Sequence, residues 1–203
     1  MPFQPTPGTV TAITAIIGVL IAKSGLSKWR TEAIGKRKAE LAEQALTLFY
    51  EIADVFIWAR SPGSFKGDGE TRTLLPHETT EQRDARNTYF IPLERLTRET
   101  ELFSRLQSLR YTFLAYFGEE AIGPFKEVRE LHTSIASSAA MLITMIDEDG
   151  LTASYAGQDS GADLRTALWG DGIRPDQFDQ SMKRAIEQIE GICKPVLEAQ
   201  RSG

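Results

Sequence analysis

The sequence predicts an all-α protein with one N-terminal transmembrane helix, followed by an antiparallel bundle of about four helices with two long loops. Three observations predict this class. An uncharged apolar run lies close to the N-terminus and precedes a group of basic residues. Apolar residues then recur at spacings of three and four along four further segments, which is typical of amphipathic helices. No segment alternates apolar and polar residues over the length of a strand, so we predict no strand.

Length and composition indicate how the chain is divided. It has 203 residues, of which 41% are hydrophobic, and this is enough for one domain with its own core. The single cysteine, Cys193, cannot form an intramolecular disulfide, which favours a reducing compartment. We therefore divide the chain into an N-terminal membrane anchor (1–26), a basic juxtamembrane segment (27–38) and a cytoplasmic helical bundle domain (39–203).

Charge is distributed unevenly along the chain. Residues 1–22 carry no charged side chain, and residues 23–38 carry six basic residues against one acid, Glu32. Since the whole chain has a net charge of −5, residues 39–203 have a net charge of −10. Binding to a phosphate backbone requires a positive face that displaces counterions, so we predict no nucleic-acid partner.

The predicted anchor extends from Gly8 to Leu26. This is about 28 Å of helix, close to a hydrocarbon core of about 30 Å if the Lys23 ammonium group reaches the headgroups. A cleaved signal peptide is disfavoured because no basic residue precedes the apolar run, and an interfacial helix because the run has no charged face. A helix buried in the core remains an alternative. The anchor residues are Val10, Ile13, Ile16, Ile17, Val19, Leu20 and Ile21.

Basic residues follow the anchor and predict its orientation. They are Lys23, Lys28, Arg30, Lys36, Arg37 and Lys38. Because basic flanks tend to stay on the cytoplasmic side, we predict a cytoplasmic bundle and an N-terminus outside, with Trp29 near the headgroups. The same basic residues either attract anionic lipid, at about 1 kcal/mol each, or act only as a topology signal.

Three small residues lie at a spacing of four within the anchor. Thr14, Gly18 and Ala22 fall on one helix face and would let a second helix approach closely. Their spacing supports the hypothesis of a homo-oligomer. Membrane lipid and an unknown protein are the other partners that we expect.

The first amphipathic helix is predicted over residues 39–59. It can continue back through the basic segment towards the membrane. Gly25 and Gly35 are the points where such a continuous helix can bend.

A long loop is predicted from Ser61 to Glu78. It contains two prolines and three glycines but no Gly-Lys-Ser/Thr, which excludes a phosphate-binding loop. Loops of this length are uncommon in compact domains unless they are functional or disordered. We predict a partner contact in this loop, with Phe65, Leu74 and Leu75 as its apolar side chains.

Three helices and a second long loop complete the predicted bundle. The helical pattern resumes near Glu81 and strengthens after Pro92, where the main helix is expected to begin or to kink. A third helix follows the break at Gly118 and covers 119–147. The second loop covers 149–174. Its acids lack the spacing of a calcium-binding loop.

The last helix is predicted from Pro175, which suits a first-turn position. Its inward stripe includes Cys193, and Pro195 is expected to kink its end. A thiol in this position behaves as a small hydrophobic side chain.

No residue pattern predicts catalysis, a cofactor or a metal. The two histidines, His77 and His132, lie on different segments, and neither has a glutamate three residues before it, as a di-iron bundle requires. Two hypotheses about function remain. The first is a non-enzymatic, membrane-tethered interaction or regulatory module, and the second is an enzyme or small-molecule sensor with a pocket between helices. Candidates for such a pocket are His132, Tyr111, Arg110 and Glu99.

Overall fold

The computed structural model describes residues 7–146, 161–170 and 175–202, with side chains from residue 28 onward. The described part of the chain is mainly helical. It contains six α-helices and one 3-10 helix, which confirms the predicted all-α class. The α-helices are α1 (Pro7–Ala59), α2 (Thr80–Arg98), α3 (Thr100–Phe117), α4 (Gly123–Thr144), α5 (Ala162–Trp169) and α6 (Gln177–Arg201), and the 3-10 helix covers Glu119–Ile122.

Helix α1 is antiparallel to both α6 and α3. The Tyr50 hydroxyl donates to Glu190 on α6 at 2.5 Å, while Arg60, directly after the end of α1, pairs with Asp176 at the beginning of α6. On the α3 side, Lys38 lies over the ring of Phe117 near the end of that helix. Later residues of α1 therefore contact earlier residues of α6, and earlier residues of α1 contact the end of α3.

Helix α4 is antiparallel to α2, α3 and α6. Arg86, early in α2, donates to the carbonyl of Ile143, late in α4. At the other end, Phe113 on α3 packs against Phe125 in the first turns of α4, with ring centroids 5.2 Å apart. Taken together, α1, the α2–α3 pair, α4 and α6 form an up-down-up-down bundle, as the sequence predicts.

The core lies between these four helical segments, and its side chains are mainly aliphatic and aromatic. Phe49 of α1 meets Phe125 of α4 edge-to-face across it, with centroids 5.1 Å apart, and Phe56 meets Phe178 in the same way at 5.2 Å. Ile52, Ile135, Ala139, Leu142, Ala185, Ile189 and Cys193 are completely buried around these rings. The burial of Cys193 agrees with its predicted inward position.

Two elements differ from the prediction. Pro92 neither begins a helix nor ends one, because α2 continues to Arg98. The chain breaks instead at Glu99, a single residue, and α3 begins directly after it. Such a short break barely shifts the spacing of the apolar residues, so the sequence pattern does not reveal the break. Helix α5 lies within the predicted loop 149–174, where its Leu168 is completely buried.

Local sequence signals explain several helix ends. Gly118 has a φ of 88° and ends α3, and Pro124 occupies the first turn of α4, both as predicted. Pro175 lies just before α6 rather than inside it. The N-cap of α6 is Asp176, which forms a reciprocal capping box with Asp179.

Helix α1 is continuous through Gly25 and Gly35, and its 53 residues extend over about 80 Å. Gly35 lies beside Gln200 near the end of α6, so the N-terminal half of α1 extends past that helix. Among the helices whose side chains are described, none is long and apolar enough to cross a membrane. The predicted anchor residues, Lys23 and the Thr14, Gly18 and Ala22 stripe all precede residue 28 and lie outside those described side chains.

Candidate interaction surface

The loop between α1 and α2, residues 61–79, is the part of the molecule where we predicted a partner contact. Its backbone is folded into tight turns, with hydrogen bonds from the Asp68 amide to the Phe65 carbonyl and from the Glu70 amide to the Gly67 carbonyl. Positive φ values of 94° and 81° at Gly67 and Gly69 allow these turns.

One buried arginine holds the first half of the loop. Arg95 of α2 is only 1% exposed, and its two terminal nitrogens donate to the carbonyls of Trp58, Ser61 and Gly63. One of these nitrogens, Nη2, also donates to the Asp68 carboxylate at 2.9 Å. Since Arg95 contacts the end of α1, the loop and the helix after the loop, it fixes all three relative to one another.

Glu94, the neighbour of Arg95, holds the centre of the loop. Its carboxylate accepts from the Gly69 amide at 2.7 Å and from the Thr71 hydroxyl at 2.6 Å. A Cβ at position 69 would lie 2.2 Å from the carbonyl oxygen of Asn87, so the loop backbone lies directly against α2. Only glycine fits at this position.

Glu78 holds the end of the loop between two further arginines. Arg72 and Arg86 donate to its two carboxylate oxygens at 2.8 and 2.9 Å, and all three side chains are largely buried. Arg86 also donates to the carbonyls of Ile143 and Ile146, which connects the loop to the end of α4. The loop is therefore attached to α1, α2 and α4 near its beginning, at its centre and at its end.

These contacts keep the loop carboxylates ionised. Hydrogen bonds from the Phe65 amide and from Arg95 lower the pKa of Asp68, and Arg72 and Arg86 lower that of Glu78. Burial by itself would raise the pKa of Glu94, but its hydrogen bonds outweigh burial and the pKa is lowered. Arg72 and Arg86 pair with Glu78, and Arg95 pairs with Asp68. Glu94 pairs with the half-exposed Arg98 at 3.4 Å. We call the buried residues of this cluster the arginine brace (Arg72, Arg86, Arg95, Asp68, Glu78, Glu94).

The three predicted contact residues lie on the outside of this braced loop. The side chains are 76% exposed for Phe65, 54% for Leu74 and 52% for Leu75. All three apolar side chains are therefore accessible to solvent. We call these three residues the apolar loop surface.

A cavity of about 800 Å³ lies beside the loop, between α1 and α6. Its walls are mainly apolar and include Phe56, Ile57, Trp169 and Met182. The guanidinium of Arg60 lies at its edge. The lining residues Gly170 and Pro175 flank residues 171–174, which the structure does not describe.

Arg60 joins three elements at this edge of the cavity. It donates to the Thr166 and Ala167 carbonyls at the end of α5 and to the carboxylates of Asp176 and Asp179 at the beginning of α6. Every terminal nitrogen is thus engaged by the protein. The guanidinium is committed to structure rather than to a ligand.

The residues proposed for a pocket between helices do not come together. His132 lies beside the α2–α3 break, with its ring 4.6 Å from that of Phe103, in a cavity of about 360 Å³. Neither Glu99, Arg110 nor Tyr111 lines that cavity. Burial lowers the pKa of His132. In the described ranges, no group of three or more histidine, cysteine or acidic residues could hold a metal ion.

Sequence reasoning missed the arginine brace. Its members lie up to 27 positions apart, as in the Arg95–Asp68 pair. The available signal was the composition of α2, where arginine and glutamate occupy positions that an amphipathic pattern reserves for apolar residues. Buried charged residues of this kind require partners, and a loop rich in polar residues immediately before the helix could supply them.

The fold and this surface define an all-α bundle with a braced loop at one end. No family model, no curated protein and no solved structure matches the chain. Function is therefore argued from the geometry.

Proposed function

We propose that this protein is a membrane-tethered, non-enzymatic interaction module. The N-terminal part of α1 anchors the chain in a membrane, with the bundle on the cytoplasmic side, and the apolar loop surface contacts a protein partner. One observation carries the proposal. The loop is held to α2 by buried ion pairs, and the same arginines donate to carbonyls of α1 and α4, yet the loop leaves Phe65, Leu74 and Leu75 exposed to solvent.

The position of the loop suits this function. It follows directly after the C-terminal end of α1, and the anchor lies at the N-terminal end of the same helix. Residues 27–59 of α1 separate the two by about 50 Å of helix. A continuous helix of this length would present the loop to partners well clear of the headgroup layer.

The test replaces the three exposed residues together, as Phe65→Ser, Leu74→Ser and Leu75→Ser. Because all three are exposed and outside the brace, we expect the helical circular dichroism and the unfolding midpoint to be unchanged. Proteins captured by in-cell cross-linking to the full chain should fall at least tenfold. The matched control replaces other exposed apolar residues away from the loop, as Tyr111→Ser with Met141→Ser. Retention of every cross-linked protein by the triple variant would contradict the proposal.

The α1–α6 cavity favours a second candidate, a sensor of a small apolar molecule. Its volume of about 800 Å³ and its mostly apolar lining are typical of ligand pockets. The Met182→Trp variant would narrow the cavity while leaving the loop untouched. A ligand that stabilises the original chain but not this variant would support the sensor function.

A further inference from the structure

Basic side chains lie on α1 where it leaves the bundle. Lys28, Arg30, Lys36 and Arg37 are all exposed. Lys28 and Arg30 lie beyond the level of Gly35, where α6 comes to its end, and Lys36 and Arg37 lie within one turn of Gly35 on the bundle side. We call these four residues the basic collar. They carry charge on a helix segment that the rest of the bundle largely leaves uncovered.

The collar charge is only weakly compensated within the chain. Glu32 is the one acid among residues 27–38. It lies 3.9 Å from Lys28, with both side chains mostly exposed, and Glu40 pairs with Arg37 at 3.1 Å in a half-exposed contact. Exposed pairs of this kind are worth about 0–1 kcal/mol. The collar therefore keeps a net positive field.

The collar places basic residues on opposite faces of α1. At about 100° per residue, Lys36, Arg37 and Arg30 follow Lys28 at about 80°, 180° and 200° around the axis, and the remaining arc of about 160° has no basic residue of the collar. A protein groove, or a bilayer on which the helix lay flat, would contact one face only. A headgroup layer crossed by an upright helix contacts every face. The angular distribution thus fits lipid headgroups that contact opposite faces of the helix.

Two further observations support contact with headgroups, and the second favours anionic ones. Trp29, within the collar, is 67% exposed, and an indole ring suits the headgroup region. Residues 39–203 carry a net charge of −10, so an anionic surface would repel the bundle and attract the collar. Glu119 and Glu120, exposed near the same end of the bundle, add to this contrast.

We propose that the basic collar gathers anionic phospholipids around the anchor and holds the acidic bundle upright above them. The inference rests on the proposed membrane tether and adds the chemical class of its lipid partner. Cations on opposite faces of α1, within reach of phosphate groups, supply the attraction, and repulsion of the bundle prevents it from lying down on the surface.

The test uses Trp29 as a reporter in the full chain. Trp58→Phe and Trp169→Phe leave Trp29 as the only tryptophan, because the chain has three. The protein is reconstituted into phosphatidylcholine vesicles with one-fifth phosphatidylglycerol. In one sample the phosphatidylglycerol chains are brominated, and in the other an equal number of phosphatidylcholine chains. We expect about twofold stronger quenching of Trp29 by the brominated anionic lipid, and loss of this preference in 1 M salt.

The charge variant is Lys28→Gln, Arg30→Gln, Lys36→Gln and Arg37→Gln, and it should quench equally with both lipids. Its control removes the same charge from exposed sites on the loop and the bundle, as Lys66→Gln, Arg105→Gln, Lys126→Gln and Lys183→Gln, and should keep the preference. Equal quenching of the original chain by both lipids would overturn the inference and leave the tether intact. Absence of quenching by either lipid would overturn the tether and the inference together.

Discussion

At the scale of single residues, the loop depends on arginine side chains that are buried yet fully charged. A guanidinium has donors in a fixed fork, so one Arg95 side chain can serve three carbonyls and a carboxylate at once. It also lies over the ring of Trp58, with its carbon 5.5 Å from the centroid. A lysine would supply a charge but not this set of directed bonds.

Arg95→Met is therefore expected to lower the free energy of unfolding by about 3–5 kcal/mol, since it leaves Asp68 buried without its main cation. Urea denaturation followed by circular dichroism measures this loss. Arg83→Gln is the matched control, because Arg83 is half-exposed on the same helix and pairs with the exposed Asp84 at 3.8 Å. It should cost less than about 1 kcal/mol. Equal effects of the two variants would show that Arg95 does not hold the loop.

His132 makes stability depend on pH. Burial lowers the pKa of His132 in the folded chain below its usual value of 6.5. The unfolded chain then binds the proton more readily than the folded chain. The contribution of His132 to the free energy of unfolding is therefore fully present above pH 6.5 and is lost as the pH falls towards the lowered pKa. The charged residue that lines its cavity is Arg129, a second cation, so the described lining offers no counterion.

Urea midpoints measured from pH 7.5 to 5 should fall for the original chain and fall less for His132→Gln. The braced carboxylates contribute a separate loss at lower pH, because their lowered pKa values make them bind protons more weakly in the folded than in the unfolded chain. Identical midpoints for the two proteins over the upper range would contradict the role of His132.

At the scale of elements, the loop is shaped by where its backbone touches α2. Gly69→Ala would place a Cβ 2.2 Å from the Asn87 carbonyl oxygen, at a φ of +81°. We expect a loss of about 3 kcal/mol and rapid tryptic cleavage after Lys66. Gly67→Ala has a similar φ of +94° with nothing within 4 Å, so only backbone strain of about 1 kcal/mol should appear. Equal losses would mean that the contact with α2 is not tight.

The helices show which local signals survive in the folded protein. The capping box at Asp176 begins α6 and Gly118 ends α3. Both boundaries lie close to those predicted from the sequence. Pro92 is a strong local breaker, yet α2 continues through it because Glu94, Arg95 and Leu96 are all buried by tertiary contacts. Packing in this helix outweighs the missing hydrogen bond of the proline.

At the scale of the whole molecule, charge and hydrophobicity are segregated along α1. In the proposed function an uncharged end lies in the membrane, a basic segment follows it, and an acidic bundle completes the chain. This order gives the molecule an orientation with respect to a bilayer. The loop then lies at the end of α1 that is remote from the anchor.

The tether predicts that the full chain resists extraction from membranes by carbonate and that a C-terminal reporter is active in the cytoplasm. Ile16→Arg with Leu20→Arg should release it, since each arginine in the middle of a span costs about 2.5–3.5 kcal/mol. Tyr111→Arg with Met141→Arg adds the same charge to exposed bundle sites and should not. Release of the original chain by carbonate would contradict the tether.

The sequence by itself determined the helical class, the bundle, the loop at 61–78 and the inward stripe of Cys193. These depend on periodicity and on local breakers, which act over a few residues. Helix α5 was missed because its eight residues are too few for a clear period, and it is stabilised through Leu168 and the bonds from Arg60. Only the tertiary structure decided the arginine brace and the α1–α6 cavity. Both join residues distant in sequence, and their partners are chosen by packing geometry and by the need to neutralise buried charge.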